Sequence, residues 1–230
     1  MNDWCFPPPE RPAIPVVKDK RRFPVNRIFC VAQNYAKHAL EMGSSGNQPP
    51  FFFMKPACAL RANPGTLPYP DRTKCLHYEG ELVVALRKGG ADIAVDKALD
   101  HVFGYCCGVD LTRRDLQKQA KKDGKPWDSS KGFDASAPTS AITPAEAWRS
   151  FADAQLQLSI NSVTKQAASL RDMILPVGDI IAHLSRLWTL APGDLIFTGT
   201  PEGVGPILPG DLLQLTITGL EALQFRIKAQ

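Results

Sequence analysis

The chain has 230 residues, 44% of them hydrophobic and 22% charged. That composition excludes a disordered polypeptide and allows a core that needs no disulfide or metal staple. The net charge of +4, from 27 Lys+Arg against 23 Asp+Glu, is too mild to indicate nucleic acid, though it is compatible with a small anionic substrate.

At ~150 residues per domain, the length fits one β-rich domain. Residues 1–24 contain Pro7, Pro8, Pro9, Pro12, Pro15 and Pro24, which predicts an extended arm on the surface rather than a helix. A single domain is expected over 25–230. Its first half reads as a strand at Arg27–Ala32, a short helix within 34–42, and strands at 51–54, 79–86 and 102–109. A helix is expected over Leu111–Lys122, with Asp110 at its mouth. In the second half, Leu156, Leu158 and Ile160 alternate with Gln155, Gln157 and Ser159 as in a half-buried strand. A helix follows over Val177–Leu187, then strands at 195–198, 212–218 and 223–227. Many short strands with few helices predict a β-rich α+β fold.

The densest basic stretch, 118–125, has no interleaved aromatics and reads as a solvated helix end and turn, not a nucleic-acid patch. No run approaches the ~18 apolar residues of a membrane helix. The start is polar and proline-rich, unlike a signal peptide. The six cysteines form no C-x-x-C pair and read as reduced thiols of a cytoplasmic protein.

Glu79 and Glu81 are two apart at the start of an apolar strand, so they share a face about 7 Å apart. Asp110 ends another apolar strand. Three carboxylates at strand ends make an all-oxygen donor set suited to Mg²⁺, Mn²⁺ or Ca²⁺ rather than Zn²⁺. The same pattern also fits a solvated strand start with Asp110 as a helix cap. His38 and Glu41 are three apart on one helical face, which suits a general base oriented by a carboxylate and equally describes a surface pair. The glycine-rich 43–47 stretch behind them suits a lid, placed near 36–48. Arg114 and Gln117, also three apart, could hold a substrate carboxylate, and Lys131 could stabilise a developing enolate. His77, His101 and His183 lack convergent partners in the sequence and read as structural.

In order and spacing, several stretches together resemble the fumarylacetoacetate hydrolase family from about Arg27 to the C-terminus. They are Cys30–Ala39 with Glu41, Phe53-Met54-Lys55-Pro56, Tyr78–Leu82, Gly104–Asp110, Arg113–Gln117, Lys131–Asp134 and Thr198–Gly205. The proline-rich start with Phe23-Pro24-Val25, and the Thr112-Arg113-Arg114-Asp115 run, look most like the short fumarylpyruvate hydrolase (acylpyruvase) branch. The resemblance implies a mixed β-sandwich roll, usually a homodimer, and Mg²⁺ or Mn²⁺ held by Glu79, Glu81 and Asp110. It further implies a catalytic pair, His38 and Glu41, on a lid, and a substrate pocket lined by Lys131, Arg114, Gln117 and Thr200. The chain departs from the family's usual pattern at Ala32-Gln33, Arg87, Pro138–Ala141 and Asn161-Ser162.

The expected activity is metal-dependent hydrolysis of a C–C bond in a 2,4-dioxo acid, with fumarylpyruvate giving fumarate and pyruvate. Oxaloacetate decarboxylation or 2-oxo acid isomerisation on the same site is the alternative, and a binding protein without catalysis is a third reading.

Overall fold

The long apolar runs at 80–86 and 102–109 are explained by burial on both faces of one sheet. The computed structural model describes residues 4–43, 51–148 and 151–229. Along strand Gly80–Leu86, Leu82, Val84 and Leu86 enter one core while Val83 and Ala85 enter another. A strand with no solvent face has no polar alternation, so it reads as a continuous apolar run. The strand belongs to an eight-stranded sheet, in the order Phe51–Lys55, Ile28–Ala32, Leu195–Phe197, Gly80–Leu86, Val102–Val109, Ala137–Thr139 and Leu60–Ala62, with Thr143–Pro144 added against Val102–Val109. The sheet is mixed: Leu195–Phe197 runs parallel to Ile28–Ala32, and Ala137–Thr139 parallel to Leu60–Ala62.

A five-stranded sheet covers one face. Its order is Val163–Ser169, Gln155–Ile160, Leu212–Ile217, Leu223–Ile227 and Gly65–Leu67. Leu156, Leu158 and Ile160 point into the shared core and Gln155 and Gln157 face water, as the alternation predicts. Strand Val163–Ser169 is not evident in the sequence because it lies at the sheet edge and buries only Gln166. Its hairpin turn, Asn161-Ser162, has φ of 49° and 67°, the paired positive values of a two-residue type I′ turn. Ser162 therefore occupies a conformation that favours glycine.

The other face of the large sheet is closed by the N-terminal segment. Within the arm expected over 1–24, residues 13–24 are extended, but they form a hairpin, Ala13–Pro15 against Arg22–Pro24, rather than lying along the surface. Ile14, Val16, Phe23 and Val25 are buried in the second core with Ile28, Cys30, Val83, Cys106 and Phe197. Phe23 packs on Phe103 with centroids 5.2 Å apart. The prolines mark the ends of two three-residue strands, where few ladder N–H donors are needed.

Three helices bear on the site. Ala36–Glu41 follows the Ile28–Ala32 strand. Arg114–Asp123 starts three residues later than expected, because Thr112–Arg113 pairs with Leu76–His77, and ends at Gly124 with φ 64°. The expected capping role for Asp110 is therefore absent. Asp128–Lys131 is a single short turn.

Phe23→Ala should cost about 3–5 kcal/mol of stability in urea unfolding, the range for a buried aromatic. A residue on a surface arm would change stability by no more than about 0.5 kcal/mol.

Candidate active site

Strand register brings the carboxylates together. Gly80 pairs with Val109 and Glu81 with Gly108, and the Asp110 backbone N–H donates to the Glu79 carbonyl at 2.8 Å. Glu79, Glu81 and Asp110 therefore project from adjacent strand ends on the face that carries Val83, Cys106 and Phe197. They are 6%, 2% and 0% exposed, and ligand oxygens from all three lie within 4.8 Å of one another.

The intervening residues are small for packing reasons. A Cβ on Gly80 would meet Leu158 at 3.0 Å and the Gln166 Oε1 at 3.1 Å, and one on Gly108 would meet Val83 at 2.4 Å. Gly199, at φ +92°, brings its N–H to Glu81 Oε2 at 2.7 Å, and a Cβ there would meet Asn34 at 2.7 Å.

Three buried cations face the three acids. Lys131 Nζ donates to Glu79 Oε2, Asp110 Oδ2 and Thr112 Oγ1, each at 2.7 Å, so all its donors are engaged within the protein. Arg114 donates to Glu79, to Gln117 Oε1 at 2.6 Å and to His77 Nδ1 at 3.4 Å. Lys55 Nζ lies 2.8 Å from Asp110 Oδ1 and donates to the Lys131 and Leu111 carbonyls. Burial opposes the charge on Lys131, but Asp110 and Glu79 raise its pKa above the usual value.

The carboxyls respond differently to the same burial. Burial works against ionised Glu79, yet Lys131 and Arg114 hold it well below the usual carboxylate range. Glu81 has no such partner: burial, then Asp110 and Glu79, push it well above that range, opposed by the Gly199 N–H.

This donor set fits a hard divalent cation. It is all oxygen, it converges, and one member, Glu81, is too deeply buried and then too crowded by negative charge to ionise easily on its own. Asp110 Oδ1, fully buried, lacks a hydrogen bond of good geometry despite the nearby Lys55.

Of the remaining predicted residues, His38, Gln117 and Thr200 line one cleft open to solvent together with Glu79, Glu81, Arg114 and Lys131, and Glu41 is tied to it through His38. His38 is 4% exposed, and its Nδ1 lies 3.1 Å from Oε2 of the exposed Glu41, so the imidazole is buried and the carboxylate reaches it from the surface. The Gly43–Asn47 stretch expected to act as a lid lies outside the described residues beyond Gly43. Gln117 reaches the cleft with its amide oxygen committed to Arg114. Thr200 also lines the cleft, but its hydroxyl donates to the Gly80 carbonyl at 2.9 Å and accepts from Gln166 Nε2 at 2.8 Å. It braces the Glu79–Glu81 segment.

Three residues assigned no role in the sequence belong to this arrangement. Lys55 is a cation at the end of the apolar Phe51–Met54 run, and its signals in the sequence were that position and the Phe53-Met54-Lys55-Pro56 stretch. Gln166 ties the second sheet to Gly80 N–H at 2.9 Å. His77, read as structural, orients Arg114; burial first and then Arg114 push it down to about 4, which keeps its Nδ1 an acceptor.

Known proteins resemble the chain in sequence and in fold. A family model described as fumarylacetoacetate (FAA) hydrolase C-terminal matches residues 27–228. A fumarylpyruvate hydrolase from Pseudomonas aeruginosa, solved in complex with Mn²⁺ and pyruvate, superposes with a TM-score of 0.95 at 40% identity, covering 99% of this chain and 100% of that one. A mitochondrial oxaloacetate tautomerase of Arabidopsis thaliana is 38% identical over 88% of this chain and 91% of its own length. A mitochondrial oxaloacetate decarboxylase of Dictyostelium discoideum is 39% identical over 87% and 93%. Among the described residues no helix is long and apolar enough to cross a membrane.

Lys55→Met should leave Asp110 Oδ1 buried without its cation, with Lys131 alone on Oδ2, and cost about 3 kcal/mol, a drop in Tm of roughly 10 °C for a chain this size. An unchanged Tm would show that Lys55 does not hold the acid cluster.

Proposed function

The chain belongs to the fumarylacetoacetate hydrolase family, and from that premise we propose that it hydrolyses the C3–C4 bond of a 2,4-dioxo acid, with fumarylpyruvate the preferred substrate. The observation that carries this reading is the placing of His38, paired to Glu41, in one cleft with a convergent three-carboxylate centre. Likeness over 99% of the chain to a fumarylpyruvate hydrolase supports it.

A divalent cation, Mg²⁺ or Mn²⁺, held by Glu79, Glu81 and Asp110 would supply Lewis-acid polarisation of the 2-oxo acid oxygens. Every other task falls to the chain. Arg114, fixed by Glu79, His77 and Gln117, presents positive charge to the substrate carboxylate. His38 takes a proton from water, and Glu41 stabilises the imidazolium that forms. The hydroxide oxygen bonds to C4, and the C3–C4 bond breaks with its electron pair passing to the pyruvate fragment as an enolate. Positive charge from Lys131 and Arg114 favours that enolate. His38 then returns the proton to C3, giving pyruvate and the acyl acid. The segment near 36–48 would act as the lid over this water, and the working unit would be a homodimer.

The second reading, oxaloacetate tautomerisation or decarboxylation, rests on the activities named for the plant and Dictyostelium relatives. Both also pass through an enolate beside the same cations, but neither needs an attacking water.

The test follows loss of the ultraviolet enol absorbance of fumarylpyruvate, acetylpyruvate and oxaloacetate with Mg²⁺, then with EDTA. Loss with fumarylpyruvate that EDTA abolishes is expected, and His38→Asn should slow it about 10²–10⁴-fold. Turnover of oxaloacetate alone would overturn the hydrolase reading in favour of the second.

A further inference from the structure

Resting on the reading of the cleft as a 2-oxo acid site, we propose that Lys121 and Trp127 form a subsite for a second carboxylate at the far end of the substrate. The enzyme is thereby a selector of long 2-oxo diacids over tailless or neutral acylpyruvates.

The first argument is charge. Around the cleft three cations already stand against three acids: Glu79 has Arg114 and Lys131, Asp110 has Lys131 and Lys55, and Glu81 is held by the Gly199 N–H alone. Lys121 also lines the cleft, yet among the described residues no carboxylate lies within salt-bridge distance of it. Its neighbour along the chain, Lys125, is by contrast paired with Asp123 at 3.3 Å. Lys121 is thus a fourth cation beside a site that already sets three cations against three acids.

The second argument is orientation. The Lys121 ammonium lies 5.1 Å from the centroid of the Trp127 ring, a cation–π contact that restricts a long side chain. Trp127 is itself wedged against Phe51 and Phe53, with centroids 5.1 and 5.8 Å away. The ammonium is therefore positioned by an aromatic wall of the same cleft. Desolvation against this wall and the nearby Arg114 lower its pKa, and Glu79 opposes them.

The third argument is length. Arg114, Gln117 and Lys121 stand at i, i+3 and i+7 on helix Arg114–Asp123 and so share one face. At 1.5 Å per residue, Lys121 is about 6 Å along the axis from Gln117 and about 10 Å from Arg114. An extended chain advances roughly 1.2 Å per bond, so a seven-carbon diacid spans about 7 Å between terminal carbons and a four-carbon diacid about 4 Å. A substrate held at its 2-oxo acid end near Arg114 and Gln117 reaches Lys121 if it has the longer skeleton, which fumarylpyruvate has and oxaloacetate lacks.

The test is calorimetric binding to the Mg²⁺-loaded protein of four ligands: pyruvate, 2-oxoheptanoate, 2-oxoheptanedioate and oxaloacetate. Wild type should bind the seven-carbon diacid about 10–100-fold more tightly than the matching monoacid, the scale of one hydrogen bond to a charged group. Lys121→Met keeps the stem against Trp127 and should abolish that preference, while leaving 2-oxoheptanoate, pyruvate and oxaloacetate within about threefold. Lys121→Arg should restore most of it. Binding of all four without preference for the long diacid would overturn the proposal, as would an equal loss for monoacid and diacid in Lys121→Met, or a loss greatest for oxaloacetate. Failure to bind even pyruvate would overturn the 2-oxo acid reading beneath it, a result distinct from binding without preference.

Discussion

Three carboxylates held within 4.8 Å of one another in a buried pocket repel strongly, and most of the surrounding structure can be understood as the means of tolerating them. Like charges at this spacing, away from water, raise one another's pKa and cost stability unless cations or hydrogen bonds answer them. The chain answers with Lys55 from a strand, Arg114 from the helix that follows Asp110, and Lys131 from a short turn. Each comes from a different element, so the pocket depends on the tertiary fold and cannot form locally. With three cations set against three acids, a bound divalent cation would leave the cleft net positive. That suits an anionic substrate better than the chain's overall charge of +4 could suggest.

The same constraint couples the site to the core. Glu79 and Glu81 face the N-terminal hairpin side of the large sheet, while Gly80 between them faces the five-stranded sheet and is held by Gln166 and Thr200. Gln166 sits on the edge strand Val163–Ser169, and its amide bridges Gly80, Thr200 and Pro201. The packing of two sheets thus sets the spacing of two ligands. Asn34 has a parallel role at the mouth, accepting from Leu175 N–H and donating to the Thr198 and Leu175 carbonyls. It fixes the backbone just before the helix that carries His38.

What was legible in the sequence follows from these relations. Strands with two buried faces, such as 102–109, and the amphipathic helix 177–187 could be placed because their patterns are dictated by burial that local periodicity records. The acid triad was visible as strand-end carboxylates, and order and spacing identified the family. The edge strand 163–169 and the hairpin 13–24 were hidden: one buries a single residue, and the other buries its apolar residues only against a sheet formed later in the chain. Lys55 was hidden for the same reason. A lysine is buried only because Asp110, 55 residues away, is there to meet it. Thr200 was read as a pocket residue, but its two hydrogen bonds run to Gly80 and Gln166, which no spacing rule reveals.

The central claim, that this acid cluster exists to hold one divalent cation, is most directly tested by titrating the protein with Mn²⁺ and following the free ion by electron paramagnetic resonance. One ion should bind per chain. Glu81→Gln, which keeps the shape of the side chain, should weaken binding by more than the roughly 10–100-fold that loss of an outer supporting residue costs. Absence of stoichiometric binding in the wild type, or equal affinity in Glu81→Gln, would contradict the account.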